Sequence, residues 1–154
     1  GSKVTCSDVS TEAVKVAESN AKACGCKSVK FETGDLFEPF CGKIGRKKFD
    51  MIISNPPYIQ TEVIPTLQTE VKDFEPLKAL DGGEDGLDFY KRIVTEAPLH
   101  LHKHGVLMLE IGYDQGEAVT EMLEETEKFT DIVCLKDLAG KDRIAVARLK
   151  GKKD

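Results

Sequence analysis

The residues of this sequence best suited to chemistry are Asn55, Pro56, Pro57 and Tyr58, which follow directly on the apolar run Phe49-Asp50-Met51-Ile52-Ile53 and Ser54. Each proline fixes its own φ and restricts the residue before it, so Asn55 is held extended with its side-chain carbonyl aimed in a set direction. A backbone carbonyl near Pro56, which has no competing N–H, supplies a second fixed acceptor. Two such acceptors can take both hydrogens of an –NH₂ group and leave the nitrogen lone pair directed at an electrophilic methyl. Tyr58 can pack on a flat amide or base. Rate at such a site comes from holding reactants in line, which is worth up to ~7–11 kcal/mol in the best cases. The bland alternative is a proline-rich turn after a strand.

Two further polar residues stand at the ends of strand-like runs. Asp8 closes Val4-Thr5-Cys6-Ser7, and Asp35 follows Gly34 after the alternating run Ser28 to Glu32. In open α/β sheets, ligands bind beyond the carboxyl ends of the strands. Asp8 can accept from a ribose diol there, and Asp35 from an adenine amino group. Alone, each reads equally as a turn or capping aspartate.

The elements that must position these residues alternate. Ser10 is a fitting N-cap for a helix with Ala13, Val14, Ala17 and Ala21 on its apolar stripe, and Gly25 ends it. Residues 36–47, with Pro39, Gly42 and Gly45, read as loop. Phe49 to Ile53 suits a strand buried on both faces, stopped by the prolines. Residues 59–84 lack a clean period, as functional covering segments do. A helix is expected from Leu87 to Leu101, a second buried strand from Val106 to Ile111, and an amphipathic helix from Gln115 to Glu127. Two closing strands, Ile132 to Leu135 and Ile144 to Leu149, flank the turn Gly140-Lys141-Asp142. This order implies an α/β layered fold with a mostly parallel sheet and an antiparallel edge hairpin.

Bulk properties narrow the class. The chain has 154 residues, 40% of them hydrophobic, which suits one domain with a real core. Charged residues make up 32%, and no apolar run approaches a membrane span, so a cytoplasmic location without membrane association is expected. The net charge of −5, from 22 basic and 27 acidic residues, argues against a domain that grips duplex nucleic acid by itself. Arg46-Lys47-Lys48 and the tail Lys150 to Lys153 read as solvated runs. The five cysteines, Cys6, Cys24, Cys26, Cys41 and Cys134, are too scattered for a four-ligand metal site and read as reduced thiols. His100, His102 and His104 read as solvated histidines in a helix-to-strand turn. No metal is expected.

The stretch Phe49 to Tyr58 resembles motif IV of the amino-methyltransferases that use S-adenosylmethionine. More narrowly, Ser54 to Ile59, Glu70 to Pro76, Ala79 to Leu87, and Leu109-Glu110-Ile111-Gly112 resemble the HemK/PrmC family, over about Val4 to Leu149. Members of that family are protein-(glutamine-N5) methyltransferases acting on the glutamine of the GGQ motif in peptide chain release factors. The resemblance implies a Rossmann-like class I methyltransferase fold with S-adenosylmethionine as cofactor and a release factor as protein substrate. It further implies that Asn55 and the Pro56 backbone hold the target amide, that Pro57 and Tyr58 help to line its pocket, that Asp8 meets the cofactor ribose, and that Asp35 lies beside the adenine. Asn55 would also border the cofactor. Glu75 and Asp85 are extra carboxylates that a structural role would equally explain.

The chain departs from the family pattern in two respects: no glycine-rich loop precedes the strand ending at Asp8, and the family's helical N-terminal domain, which helps recognise the release factor, has no counterpart in this sequence. The expectation is therefore a single truncated catalytic domain, residues 1–154, without its first strand. The absent strand would leave two apolar strand edges, so that the remaining strands re-pair or two chains share edges as a homodimer. Cofactor affinity should then be weak or lost. Two rivals stand beside glutamine methylation. One is adenine-N6 methylation of DNA or RNA, which needs a flipped or unpaired base and usually a basic surface. The other is an inactive fragment serving as an interaction or folding module.

Overall fold

The computed structural model describes residues 1–42 and 45–151; Lys43 and Ile44 of the segment 36–47, and Lys152 and Lys153 of the basic tail, lie outside the described residues. The chain divides into two compact units, Gly1–Lys47 and Lys48–Asp154.

In the first unit, β1 (Val4–Asp8) and β2 (Val29–Thr33) pair in parallel around the helix α1 (Thr11–Ala23). Ser10 caps α1, its side chain accepting from the Ala13 N–H at 3.2 Å. At the other end Gly25 adopts φ 71, and the Cys26 and Gly25 amides reach back to the Ala21 and Lys22 carbonyls at 2.8 and 3.0 Å. That is a Schellman stop, and it needs the left-handed conformation that glycine adopts without penalty. Of the expected stripe, Val14, Ala17 and Ala21 are half-buried, while Ala13 is exposed. The described residues of the segment 36–47 are more ordered than its composition suggests. A 3₁₀ turn at Glu38–Phe40 has Pro39 in its first positions, and β3 (Cys41–Gly42) pairs antiparallel with β4 (Gly45–Arg46). Phe37 and Phe40 are the buried side chains there.

The second unit contains β5 (Phe49–Ser54), the short helices α2 (Thr69–Lys72) and α3 (Leu77–Leu80), α4 (Asp88–His100), β6 (Leu101–Glu110), α5 (Gly116–Glu125), β7 (Phe129–Lys136) and β8 (Asp142–Leu149). Its sheet order is β5-β6-β8-β7, with β5 parallel to β6 and the other pairs antiparallel. The closing hairpin is present as expected, and its last strand inserts between β6 and β7.

The register explains the core. Ile52 pairs with Leu107 and Ser54 with Leu109, and these in turn pair with Ala147 and Ala145. Leu107, Leu109, Ala145 and Ala147 are essentially inaccessible, as are Tyr90, Ile93, Val94 and Ala97 of α4 and Val119 and Leu123 of α5. Full burial of each large side chain contributes about 1.5–3 kcal/mol. The opposite row runs Ile53, Met108, Val146, Val133 across the same sheet. There Ile53 is 72% and Val133 48% exposed, and Met51 is also exposed.

This corrects one expectation. β5 is not buried on both faces: it is an edge strand, hydrogen-bonded only to β6 among the described residues. Its apolar composition is matched by burial on one face alone: Ile52 is half-buried while Met51 and Ile53 on the other face are exposed. The histidine turn is also different. α4 runs through to His100, which is 1% exposed, and β6 begins at once with Leu101, so His102 and His104 lie in the strand.

Candidate active site

In the first unit the parallel register brings the ends of β1 and β2 together: Asp8 is opposite Thr33, and the Gly34 N–H donates to the Asp8 carbonyl at 3.0 Å. Asp8 and Asp35 therefore share the carboxyl end of one small parallel sheet. Asp8 is exposed, and its Oδ1 accepts from the Ser10 N–H at 2.8 Å, so it is at once a strand-end carboxylate and an Asx turn leading into α1. The backbone of Asp35 is fixed reciprocally: its carbonyl accepts from the Glu38 N–H at 2.9 Å, and its N–H donates to Glu38 Oε2 at 3.4 Å. Gly34 is required beside it, because a Cβ there would lie 2.5 Å from Pro39 Cγ. A ribose diol and an exocyclic amine are hydrogen-bond donors. Two carboxylates at adjacent strand ends are acceptors of the kind such donors need.

In the second unit, Asn55-Pro56-Pro57-Tyr58 leaves the end of β5 as expected. Asn55 is exposed, Pro56 is buried, and Pro57 and Tyr58 are half-buried. The chain after Tyr58 is stitched to the glycine-containing segment at 81–86. Ile59 bridges Asp81; the Ile59 N–H donates to the Leu80 carbonyl at 3.0 Å, the Gly82 N–H to the Ile59 carbonyl at 2.8 Å, and the Thr61 N–H to the Gly83 carbonyl at 3.0 Å. The Asp81 carboxylate closes the same loop, accepting from Thr61 Oγ1 at 2.7 Å and from the Gly83 N–H at 3.0 Å. These donors, the Thr61 hydroxyl first, hold its carboxyl below the usual aspartate range. The long segment 59–84, aperiodic in sequence, is thus a folded cover with Ile64 and Leu80 buried in it.

Beneath the turn lies Tyr90, fully buried, whose hydroxyl donates to the Glu110 carbonyl at 2.8 Å at the end of β6. Burial first, and then the neighbouring Tyr58 and Glu110, push its ionisation well above the ordinary tyrosine value. Asp85 accepts from the Leu87 N–H and from Lys91 Nζ, at 3.0 and 2.7 Å, and its carboxyl is held low chiefly by Lys91. Asp85 is therefore engaged in opening α4. Glu75 is exposed, its N–H bonded to the Val71 carbonyl at 2.9 Å. An open pocket of about 330 Å³ is lined by Asp81, Gly83, Asp88, Phe89 and Arg92, and does not include Asn55 to Tyr58.

One residue at this end of the sheet is not marked as functional by the sequence: Gln115, which reads there only as the start of a helix. Gln115 is buried; its Oε1 accepts from the Gly112 N–H at 2.9 Å, and its Nε2 donates to the carbonyls of Tyr58 and Gly86 at 3.0 and 3.2 Å. The available signal is a glutamine three residues after the strand end Ile111-Gly112, where a solvent-facing residue would serve a helix start as well.

The α/β layering, the parallel strands with polar residues at their carboxyl ends, and the antiparallel closing hairpin are those of a Rossmann-like class I methyltransferase fold. A methyltransferase from Pyrococcus furiosus shares it, with a TM-score of 0.68 at 21% identity over 97% of this chain and 63% of that one. A release factor-specific protein-(glutamine-N5) methyltransferase from Alicyclobacillus acidocaldarius superposes with a TM-score of 0.50 at 25% identity, covering 96% of this chain and 80% of that one. Residues 1–71 match the family model described as Methyltransferase small domain. The release factor glutamine methyltransferase of Clostridium acetobutylicum is 44% identical over 147 residues, 94% of this chain and 50% of the relative. The chain is thus similar over most of its length to release factor glutamine methyltransferases, and it spans about half the length of the curated relatives it matches. No helix among the described residues is long and apolar enough to cross a membrane.

Proposed function

We propose that this chain serves the transfer of a methyl group from S-adenosylmethionine to the side-chain amide nitrogen of a glutamine, in the GGQ motif of a peptide chain release factor. The observation that carries the reading is the turn Asn55 to Tyr58: it leaves a parallel strand with Asn55 exposed, Pro56 buried, and the Tyr58 carbonyl tied down by Gln115. The strong sequence likeness to release factor glutamine methyltransferases supports the choice of amide over base.

In this reading S-adenosylmethionine, when bound, supplies an electrophilic methyl carried on a sulfonium. Asp8 and Asp35, adjacent acceptors at the ends of β1 and β2, are suited to the ribose and adenine of its nucleoside. Asn55 Oδ1 and the Pro56 carbonyl accept the two amide hydrogens of the substrate and present its nitrogen. Pro57 stiffens the turn, and Tyr58 offers a flat wall against the amide. Residues 1–154 act together as one catalytic domain, a reading supported by the single methyltransferase fold that matches 97% of the chain. Two chains can also associate through the unpaired side of β5, where Met51 and Ile53 are exposed.

The experiment is incubation of the chain with S-adenosylmethionine carrying a labelled methyl group, together with a release factor or with single-stranded DNA. Label is expected on the release factor and to vanish when its GGQ glutamine is replaced. Label on DNA alone would overturn the amide reading in favour of adenine. No label on either, together with no cofactor binding by calorimetry, would point to an interaction module.

A further inference from the structure

We infer that Gln115 is a positioning residue for the Asn55–Tyr58 turn, its carboxamide fixing the Tyr58 carbonyl against the loop at Gly82–Gly86. The inference rests on the amide-methylation reading above and deepens it. Three loops leave this end of the sheet and its helices: Asn55 onward after β5, Gly82–Gly86 before α4, and Ile111–Gln115 after β6. The Gln115 side chain bonds all three, to the Tyr58 carbonyl, the Gly86 carbonyl and the Gly112 N–H. Although Gln115 stands in the capping position of α5, its side chain makes no capping bond to that helix. It is turned instead toward the strand ends, the place where parallel sheets bind their ligands.

The chemistry of the site selects a carboxamide. Two carbonyl oxygens face one end of the side chain and an N–H faces the other, so the group must donate twice and accept once. Glutamate has the same shape, but when ionised it is acceptor-only and would set a carboxylate against two carbonyls. Alanine leaves a buried amide and carbonyls without partners. The backbone around the clamp has no slack. A Cβ on Gly86 would lie 2.5 Å from the Tyr58 carbonyl oxygen and 2.8 Å from Gln115 Nε2, and one on Gly112 would lie 2.8 Å from Gln115 Oε1. Glycine at these positions lets backbone and carboxamide meet, so movement at Gln115 passes directly to the turn carrying Asn55.

The test compares wild-type, Q115E and Q115A for methyl transfer from S-adenosylmethionine to a release factor between pH 6 and 8.5. Hydrogen exchange of the Gly112 amide is followed in parallel. Misplacement of a reacting group by about 1 Å lowers rate about 10²-fold, so kcat of Q115E at pH 8.5 should fall by one to two orders of magnitude. The deficit should shrink toward pH 6, because a protonated carboxyl again donates to one carbonyl and accepts from Gly112. Cofactor Kd should move less than about threefold, because the groups displaced are those that hold the amide. A kcat deficit independent of pH, or one matched by loss of cofactor affinity, would overturn the positioning role. If wild-type transfers no methyl to the release factor, the functional reading fails on its own. The exchange arm then decides: Gly112 exchanging as slowly in Q115A as in wild-type would overturn the clamp, and faster exchange would uphold it.

Discussion

Gly82 and Tyr58 meet backbone to backbone: a Cβ on Gly82 would lie 2.7 Å from the Tyr58 Cα and 2.9 Å from the Gly86 carbonyl oxygen. The Gly82 N–H also donates to the Ile59 carbonyl at 2.8 Å, so the two segments cannot part without losing a ladder bond. Gly82→Ala should therefore push the turn outward rather than be absorbed by a flexible neighbour. Overpacking of this kind costs about 1–3 kcal/mol. Gly86→Ala adds strain to the clash, since its φ is 72 and left-handed backbone costs a non-glycine residue about 1–2 kcal/mol. Urea unfolding should show both losses, with methyl transfer falling further than stability explains. Unchanged midpoints for both variants would mean the contact is looser than the geometry requires.

Asn55 is the residue whose loss should separate binding from chemistry. It is exposed, so Asn55→Ala leaves no cavity and should change stability by less than about 0.5 kcal/mol. Removal of one fixed acceptor from a reacting –NH₂ resembles removal of an oriented donor elsewhere, an effect of about 10²–10³ in kcat. The expected outcome is a stable protein with a collapsed kcat. A variant retaining more than about a tenth of wild-type kcat in the labelled-methyl assay would move the amide-holding role to another residue.

Much of this arrangement could be read from residue types. The N-cap at Ser10, the stop at Gly25, and the strand ending before Pro56-Pro57 are local effects, decided by side-chain acceptors and by proline's fixed φ. They appear where the sequence implies. What could not be read depends on partners distant in the chain. Ile53 and Ile52 are chemically identical, but only register and helix coverage decide that Ile53 is 72% exposed while Ile52 is half-buried. Gln115 is 57 residues from Tyr58, and no period or spacing announces a side chain reaching that far. The order within 59–84 comes from short local turns and helices and from pairing of residues 59–61 with 80–83, rather than from an amphipathic repeat.

Asp85 should prove structural rather than catalytic. Its carboxylate caps the Leu87 N–H and pairs with Lys91, which also contacts Asp88 at 3.5 Å. Both partners of the Asp85–Lys91 pair are about half exposed, so solvent screening leaves the pair a small contribution to stability. Because the folded carboxyl is held below its unfolded value, its contribution is present above about pH 4 and is lost as pH falls through the folded value. Asp85→Asn should flatten the acid limb of the stability curve slightly and leave kcat per folded molecule within about twofold of wild-type. A hundredfold loss of kcat with an unchanged melting curve would return Asp85 to the reacting groups.

Tyr90 gives the opposite pH dependence. Its ring is fully buried, and its hydroxyl donates to the Glu110 carbonyl at 2.8 Å, so the folded state holds the neutral phenol while the unfolded chain ionises near pH 10. A group whose value is raised on folding stabilises fully below its unfolded value and loses that contribution as pH rises through the folded one. The stability of wild-type should accordingly fall above about pH 10, by up to ~1.4 kcal/mol per pH unit from this group. Tyr90→Phe keeps the packing, leaves the Glu110 carbonyl without its donor, and should cost about 0.5–1.5 kcal/mol at pH 8. It also removes the ionisable group, so its alkaline limb should be flatter and the two stabilities should converge near pH 11. Tyr90→Ala opens a cavity under the Asn55–Tyr58 turn and should cost about 3–5 kcal/mol. Urea midpoints of wild-type and the Phe variant at pH 8, 10 and 11 decide the matter: parallel alkaline limbs would mean that another group, not the phenol beneath the turn, sets the high-pH limit of this fold.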